Sequence, residues 1–156
     1  MIKFFGIIAF CLLACAGFSQ APEPGLVVGP IAKQVLVGSK LTVTLTVTFA
    51  EGFHGYQNPP AGEYEIPVTV KVDGKDIKVI KIAYPAGVDA TIGGMDKPTK
   101  AYEGTVKFPV TIQLPAKPGV RDVKFRVSYQ QCDATSCFPP AEISKSVKIN
   151  VVKKVG

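Results

Sequence analysis

Two cysteines carry the reactive chemistry of this sequence. Cys132 and Cys137 stand in the run Tyr129-Gln130-Gln131-Cys132-Asp133-Ala134-Thr135-Ser136-Cys137-Phe138-Pro139-Pro140, with four residues between them. Alternating strand-type residues lead into Cys132 and polar turn residues follow. The pair therefore belongs at the tip or neck of a hairpin, where two Cα atoms come within disulfide range. A bridge across so short a loop removes little unfolded-state entropy, because the stabilisation grows only with the logarithm of loop length. Two chemistries fit the spacing. One is a structural hairpin disulfide, favoured in oxidising compartments. The other is a redox-active pair, in which one sulfur is reachable by a partner's thiolate and the other resolves the mixed disulfide.

The neighbouring reactive types are few. His54, the single histidine, follows Phe53 and could act as a base near a thiol, although a lone histidine beside an aromatic ring is more often structural. Tyr56 and Tyr129 read first as core or rim aromatics. Phe138 and the prolines after it, Pro139 and Pro140, stiffen the chain beyond Cys137, since each proline fixes φ and donates to no ladder. One histidine cannot build a histidine metal cage, and no metal is expected. A copper centre made from Cys137, His54 and Met95 explains two close cysteines less well than a pair does.

The other two of the 4 cysteines, Cys11 and Cys15, lie in a segment with a different purpose. Lys3, an apolar run over residues 4–13 and small residues at Ala14, Ala16, Gly17 and Ser19 form an export signal over residues 1–19. The run is too short for a membrane span, which takes about 20 apolar residues. Two cleavage readings stay open. One cuts after Ala16 or Ser19; the other takes Leu12-Leu13-Ala14-Cys15 as resembling a lipoprotein box with Cys15 acylated, the one route by which the membrane would hold the protein. In either case the mature domain keeps one local cysteine pair. A net charge of +6 in 156 residues without an arginine cluster or interleaved aromatics argues against nucleic acid as a partner.

The elements that must position the pair have a period of two. Leu41, Val43, Leu45, Val47 and Phe49 alternate with threonines, and the pattern returns over residues 106–114, 123–129 and 147–151. Residues 66–72 and 75–84 flank Asp73-Gly74, a hairpin signal. A weaker strand is expected over 31–37, and Pro109 inside a strand run marks an edge or a bulge. Residues 20–25, rich in proline, read as a flexible leader before a domain over 26–156. Some seven short strands with Gly and Pro punctuation and no helical period predict an all-β, immunoglobulin-like antiparallel β-sandwich. The segment 85–102 is too long for a simple connection, and loops of that length are often functional.

With these residues in view, the sequence resembles the N-terminal periplasmic domain family of the thiol:disulfide interchange protein DsbD. The resemblance rests on Tyr129-Gln130-Gln131-Cys132 with Cys137-Phe138-Pro139-Pro140. Supporting it are Gly52-Phe53-His54-Gly55-Tyr56, Tyr84-Pro85-Ala86-Gly87-Val88, and Tyr102-Glu103-Gly104 followed by Phe108-Pro109-Val110-Thr111-Ile112. It spans residues 26–152. It implies that Cys137 forms mixed disulfides with partners and Cys132 resolves them, with no cofactor. His54, Tyr56, Tyr129, Phe138 and Pro139 would shape the site. The cysteine spacing is one residue shorter than in the best-known members, and Met95 stands where those members place a shielding aromatic on a cap loop. Implied partners are periplasmic thioredoxin-like oxidoreductases and a separate membrane electron donor, because the membrane-embedded and thioredoxin-like domains of those members do not follow here. The rival expectation is a non-catalytic exported β-sandwich that binds a ligand and carries a structural hairpin disulfide.

Overall fold

Alternation of apolar and hydroxyl side chains is what builds this protein. Each such run has one face that must leave water and one that can stay in it, so the runs pair edge to edge and close face to face. The computed structural model describes residues 20–153. The expected export signal and the fate of Cys15 lie outside the described residues. Among the described residues twelve strands form: β1 (Gly25–Val28), β2 (Val35–Leu36), β3 (Lys40–Thr48), β4 (His54–Tyr56), β5 (Thr69–Gly74) and β6 (Lys78–Ile82) come first. They are followed by β7 (Val88–Ala90), β8 (Thr99–Glu103), β9 (Thr105–Gln113), β10 (Gly119–Tyr129), β11 (Gln131–Cys132) and β12 (Ala141–Val152). No helix occurs among the described residues.

The strands make three sheets in the orders β1-β3-β9-β6, β2-β12-β10-β5 and β11-β4-β8-β7. Pairing is antiparallel throughout except between β2 and β12. The first two sheets face each other across one core. Val43, Leu45 and Val47 of β3 with Phe108, Val110 and Ile112 of β9 meet Val123, Phe125 and Val127 of β10 and Ile143, Ile149 and Val151 of β12. This is an immunoglobulin-like β-sandwich, and the third, smaller sheet closes one end of it. Tyr102 of β8 points into the main core, edge-on to Phe108 at 5.3 Å between ring centroids.

Four expectations change. Asp73-Gly74 does not head a hairpin: β5 pairs with β10 and β6 with β9, so the turn that follows carries the chain from one sheet to the other. The Ile77 N–H still donates to the Gly74 carbonyl at 3.2 Å. The local turn chemistry was sound, but Val70 and Ile82 reach the same core from opposite sheets, and burial decides the pairing. Pro109 lies on a strand flanked on both sides, yet its carbonyl accepts from Ala83 just past the end of β6, where no ladder needs the missing N–H. The weak strand expected over 31–37 shrinks to β2. Residues 20–25 pack as a strap: Pro24 is buried, the Pro22 carbonyl accepts from Gln131 Nε2 at 3.0 Å, and Gly25 opens β1 against β3.

Candidate functional site

The third sheet has two different faces, and the site is built on one of them. In β4, Gly55 faces the main core so closely that an added Cβ would lie 2.8 Å from Phe49 Cζ and 2.9 Å from Val68 Cγ2. His54 and Tyr56, one residue to either side, point the other way. Register then fixes their neighbours: His54 is opposite Cys132 of β11 and Glu103 of β8, and Tyr56 is opposite Ala101. Residues directly opposite on antiparallel strands share a face. Tyr56, Ile92, Ala101 and Cys132 accordingly form a small core of their own, with Ala90 and Met95 packed against it.

Cys132 and Cys137 form a disulfide with Cα atoms 4.0 Å apart. They bridge the neck of a hairpin closed by Phe138 N–H donating to the Gln131 carbonyl at 2.8 Å and Asp133 N–H donating to the Ser136 carbonyl at 2.9 Å. The two cysteines differ sharply in access: Cys132 is fully buried and Cys137 is exposed. The Asp133 carboxylate builds the turn. Its Oδ1 accepts from the N–H groups of Thr135 and Ser136, both at 2.8 Å, and from the Thr135 hydroxyl at 3.0 Å. These bonds hold its carboxyl below the ordinary range. Because the side chain takes the Ser136 N–H, the Asp133 backbone carbonyl is left for another donor.

That donor is the tip of the β7–β8 hairpin. Gly93 N–H donates to the Asp133 carbonyl at 2.8 Å and Gly94 N–H to the Ala134 carbonyl at 3.0 Å. Residues 85–102, read from sequence as a long loop, are thus mostly a hairpin whose tip is stitched onto the cysteine turn. Gly93 has φ 62°, and a Cβ there would stand 2.7 Å from Cys137 Sγ. Backbone at Gly93 therefore lies against the Cys137 sulfur, and Met95, half-buried, packs on the cluster that holds Cys132.

Tyr56 completes the contact, its hydroxyl 3.4 Å from Cys137 Sγ. A disulfide sulfur has no hydrogen to give, so the phenol donates. Burial first, and Glu65 second, raise the Tyr56 hydroxyl above its usual value and keep it a donor. His54 Nε2 lies 3.1 Å from Glu103 Oε2, and its buried Nδ1 has no partner among the described residues.

Of the residues singled out from sequence, Cys132, Cys137, Tyr56, His54 and Met95 come together. Phe138 sits at the rim with its ring centroid 5.9 Å from that of Phe53. Tyr129 belongs to the main core, edge-on to Phe49, and Pro139 is exposed on a cleft beside the strap. Gly93, Ile92, Ala101, Glu103 and Asp133 were missed as site residues. The Gly93-Gly94 pair and the Asp-x-Thr-Ser turn pattern were the available signals. Among the described residues no three His, Cys, Asp or Glu side chains gather to hold a metal ion.

Fold and site define a class: an immunoglobulin-like β-sandwich with a cystine at its end, one cysteine buried and the other exposed beside the backbone of Gly93. The family model for the N-terminal part of the thiol:disulfide interchange protein DsbD matches residues 26–148, and the chain belongs to that family. A solved structure of the DsbD N-terminal domain of Neisseria meningitidis, in the reduced form, is similar at 15% identity over 74% of this chain and 82% of that one, TM-score 0.47. The N-terminal periplasmic domain of ScsB from Proteus mirabilis is similar at 16% identity over 75% of this chain and 43% of that one, TM-score 0.51, a likeness of fold. No curated protein sequence matches.

Proposed function

We propose that this protein is a periplasmic thiol–disulfide exchange module that relays reducing equivalents to partner proteins through Cys132 and Cys137. The observation that carries the reading is the difference between the two sulfurs: one cysteine exposed under a hairpin tip held by two backbone hydrogen bonds, the other fully buried. A partner's thiolate attacks Cys137 Sγ, forming a mixed disulfide and releasing the Cys132 sulfur. A second partner thiol then frees Cys137, leaving the dithiol. The dithiol reduces an oxidised protein by the same steps reversed. Tyr56, donating to Cys137 Sγ, polarises it for attack and stabilises the Cys137 thiolate of the dithiol form. Met95 and Gly93 shield the pair between encounters, and Phe138 with Pro139 shapes the rim that a partner meets. Donor and acceptor are thioredoxin-like proteins, whose cysteine pair supplies both the attacking and the second thiol, with a membrane electron donor upstream. Family membership and the periplasmic origin of the ScsB domain support this setting.

Two measurements test it. The reduction potential of the pair should lie in the exchangeable range; a value below about −300 mV, where structural disulfides resist reduction, marks a staple and rejects the reading. Cys132→Ala should accumulate mixed disulfides with thioredoxin-like proteins through Cys137, and Cys137→Ala should accumulate none. Absence of adducts from Cys132→Ala counts against exchange.

A further inference from the structure

We infer that His54, oriented by Glu103, is the proton carrier of the buried sulfur: it takes the proton from Cys132 when the dithiol reduces a partner and returns it when the disulfide is opened. The inference rests on the exchange reading above and extends it to a step that the exposed cysteine does not explain.

The need for a carrier comes from burial. Cys132 has no exposed surface and is packed against Tyr56, Ile92 and Ala101. A thiolate in such a place is strongly disfavoured, so the thiol there resists ionisation. Yet Cys132 must attack as a thiolate to resolve a mixed disulfide, and it must leave as one when a partner attacks Cys137. Water cannot reach it to exchange the proton.

His54 is the group in place to do so. It stands directly opposite Cys132 across the β4–β11 ladder, on the same face, a pairing that sets Cβ atoms about 4.5–5.5 Å apart. Glu103 lies opposite it on the other side, with Oε2 3.1 Å from Nε2. A carboxylate only accepts, so in the neutral imidazole Nε2 carries the hydrogen and Nδ1 presents its lone pair. That lone pair is buried and has no partner among the described residues. In the disulfide no hydrogen remains on Cys132 to satisfy it. In the dithiol the Cys132 S–H supplies one. On this assignment the orphaned acceptor gains its partner only in the reduced state. The titratable side chains that register places beside His54 are Glu103 from β8 and Cys132 from β11, with Tyr56 next along its own strand face.

The step balances. From the mixed disulfide of Cys137 with a partner, His54 Nδ1 accepts the Cys132 proton and the Cys132 thiolate attacks Cys137 Sγ. The Cys132–Cys137 bond forms, the bond from Cys137 to the partner sulfur breaks, and the electron pair leaves on the partner's thiolate. The pair is oxidised by two electrons and the partner reduced by two. The proton on His54 then passes to solvent along the Glu103 side, which is more than half exposed.

The test uses reduced protein and the aromatic disulfide dithiobis(nitrobenzoate), which releases one coloured thiolate when Cys137 attacks and a second when Cys132 resolves. In His54→Ala the first release should keep its rate, while the second slows about a hundredfold near neutral pH. Removing the imidazole opens that side of Cys132 to hydroxide, so the second release should recover as pH rises. Glu103→Gln, which keeps the shape but frees the imidazole tautomer, should slow the same release to a smaller degree. It decides the matter should His54→Ala fail to fold. Equal second-release rates in variant and wild type, or both releases slowed alike, would overturn the assignment. A wild-type reduction potential in the resistant range would instead remove the exchange reading while leaving these rates as measured, so the two failures are distinguishable.

Discussion

Gly93 shows how much of the site is made by backbone. With φ 62° and no room for a Cβ beside Cys137 Sγ, the position requires glycine twice over, for conformation and for approach. Gly93→Ala should cost about 1–2 kcal/mol for the left-handed backbone. It should also lift the hairpin tip, so that a small thiol such as dithiothreitol reduces the disulfide faster. Denaturant unfolding and reduction kinetics read the two effects, and an unchanged reduction rate would refute the cover. Asp133 gives a pH dependence at the same scale. Its carboxyl is held below the ordinary range in the folded turn by the bonds from Thr135 and Ser136. The contribution to stability is therefore complete above the unfolded carboxyl's range and is lost as pH falls through the lower folded value. Acid should loosen the cysteine turn and its Gly93 and Gly94 latch, with amide exchange at those two N–H groups accelerating in wild type and already fast at neutral pH in Asp133→Ala. Both cysteines were legible in the sequence because their chemistry is in their side chains. Gly93 and Asp133 were not, because their roles depend on where a carbonyl and an amide meet across 40 residues of chain.

At the scale of elements, β4 links the two cores. One side of its three residues presents His54 and Tyr56 to the cystine, and the other, at Gly55, lies against Phe49 and Val68. Gly55→Ala pushes a methyl group into both, which overpacking data value at about 1–3 kcal/mol. It should also displace Tyr56 from Cys137, and so slow exchange as well as lower stability. Urea unfolding at wild-type stability would refute the packing account. The long strands β3, β9, β10 and β12 were readable, the last only over its second half, because a run of five or more residues in each repeats a period of two. Strands as short as β4 and β11 have no period to read, and their partners are chosen by burial far along the chain. The same reason explains the Asp73-Gly74 turn, whose local signal is correct but whose flanking strands pair with β10 and β9 instead of each other.

Across the whole molecule, the division into a large core and a small one sets what the disulfide is worth. The large core joins both main sheets and contains neither cysteine, while the small one holds Cys132 with Tyr56, Ile92 and Ala101. The bond closes a loop of sequence separation 5. Chain entropy for so short a loop comes to about 2 kcal/mol. For a domain of this size that corresponds to a fall in Tm of roughly 4–8 °C on reduction. The dithiol form should therefore stay folded, as exchange demands, with loss of order confined to the end carrying β4, β11 and the β7–β8 tip. Calorimetry with and without reductant measures the first part, and hydrogen exchange mapped along the chain measures the second. Global unfolding on reduction would make the cystine a staple of the sandwich and contradict an exchange role. A small shift with protection lost around Cys132 and Cys137 alone would show that the sandwich serves as a rigid mount whose stability does not depend on the redox state it carries.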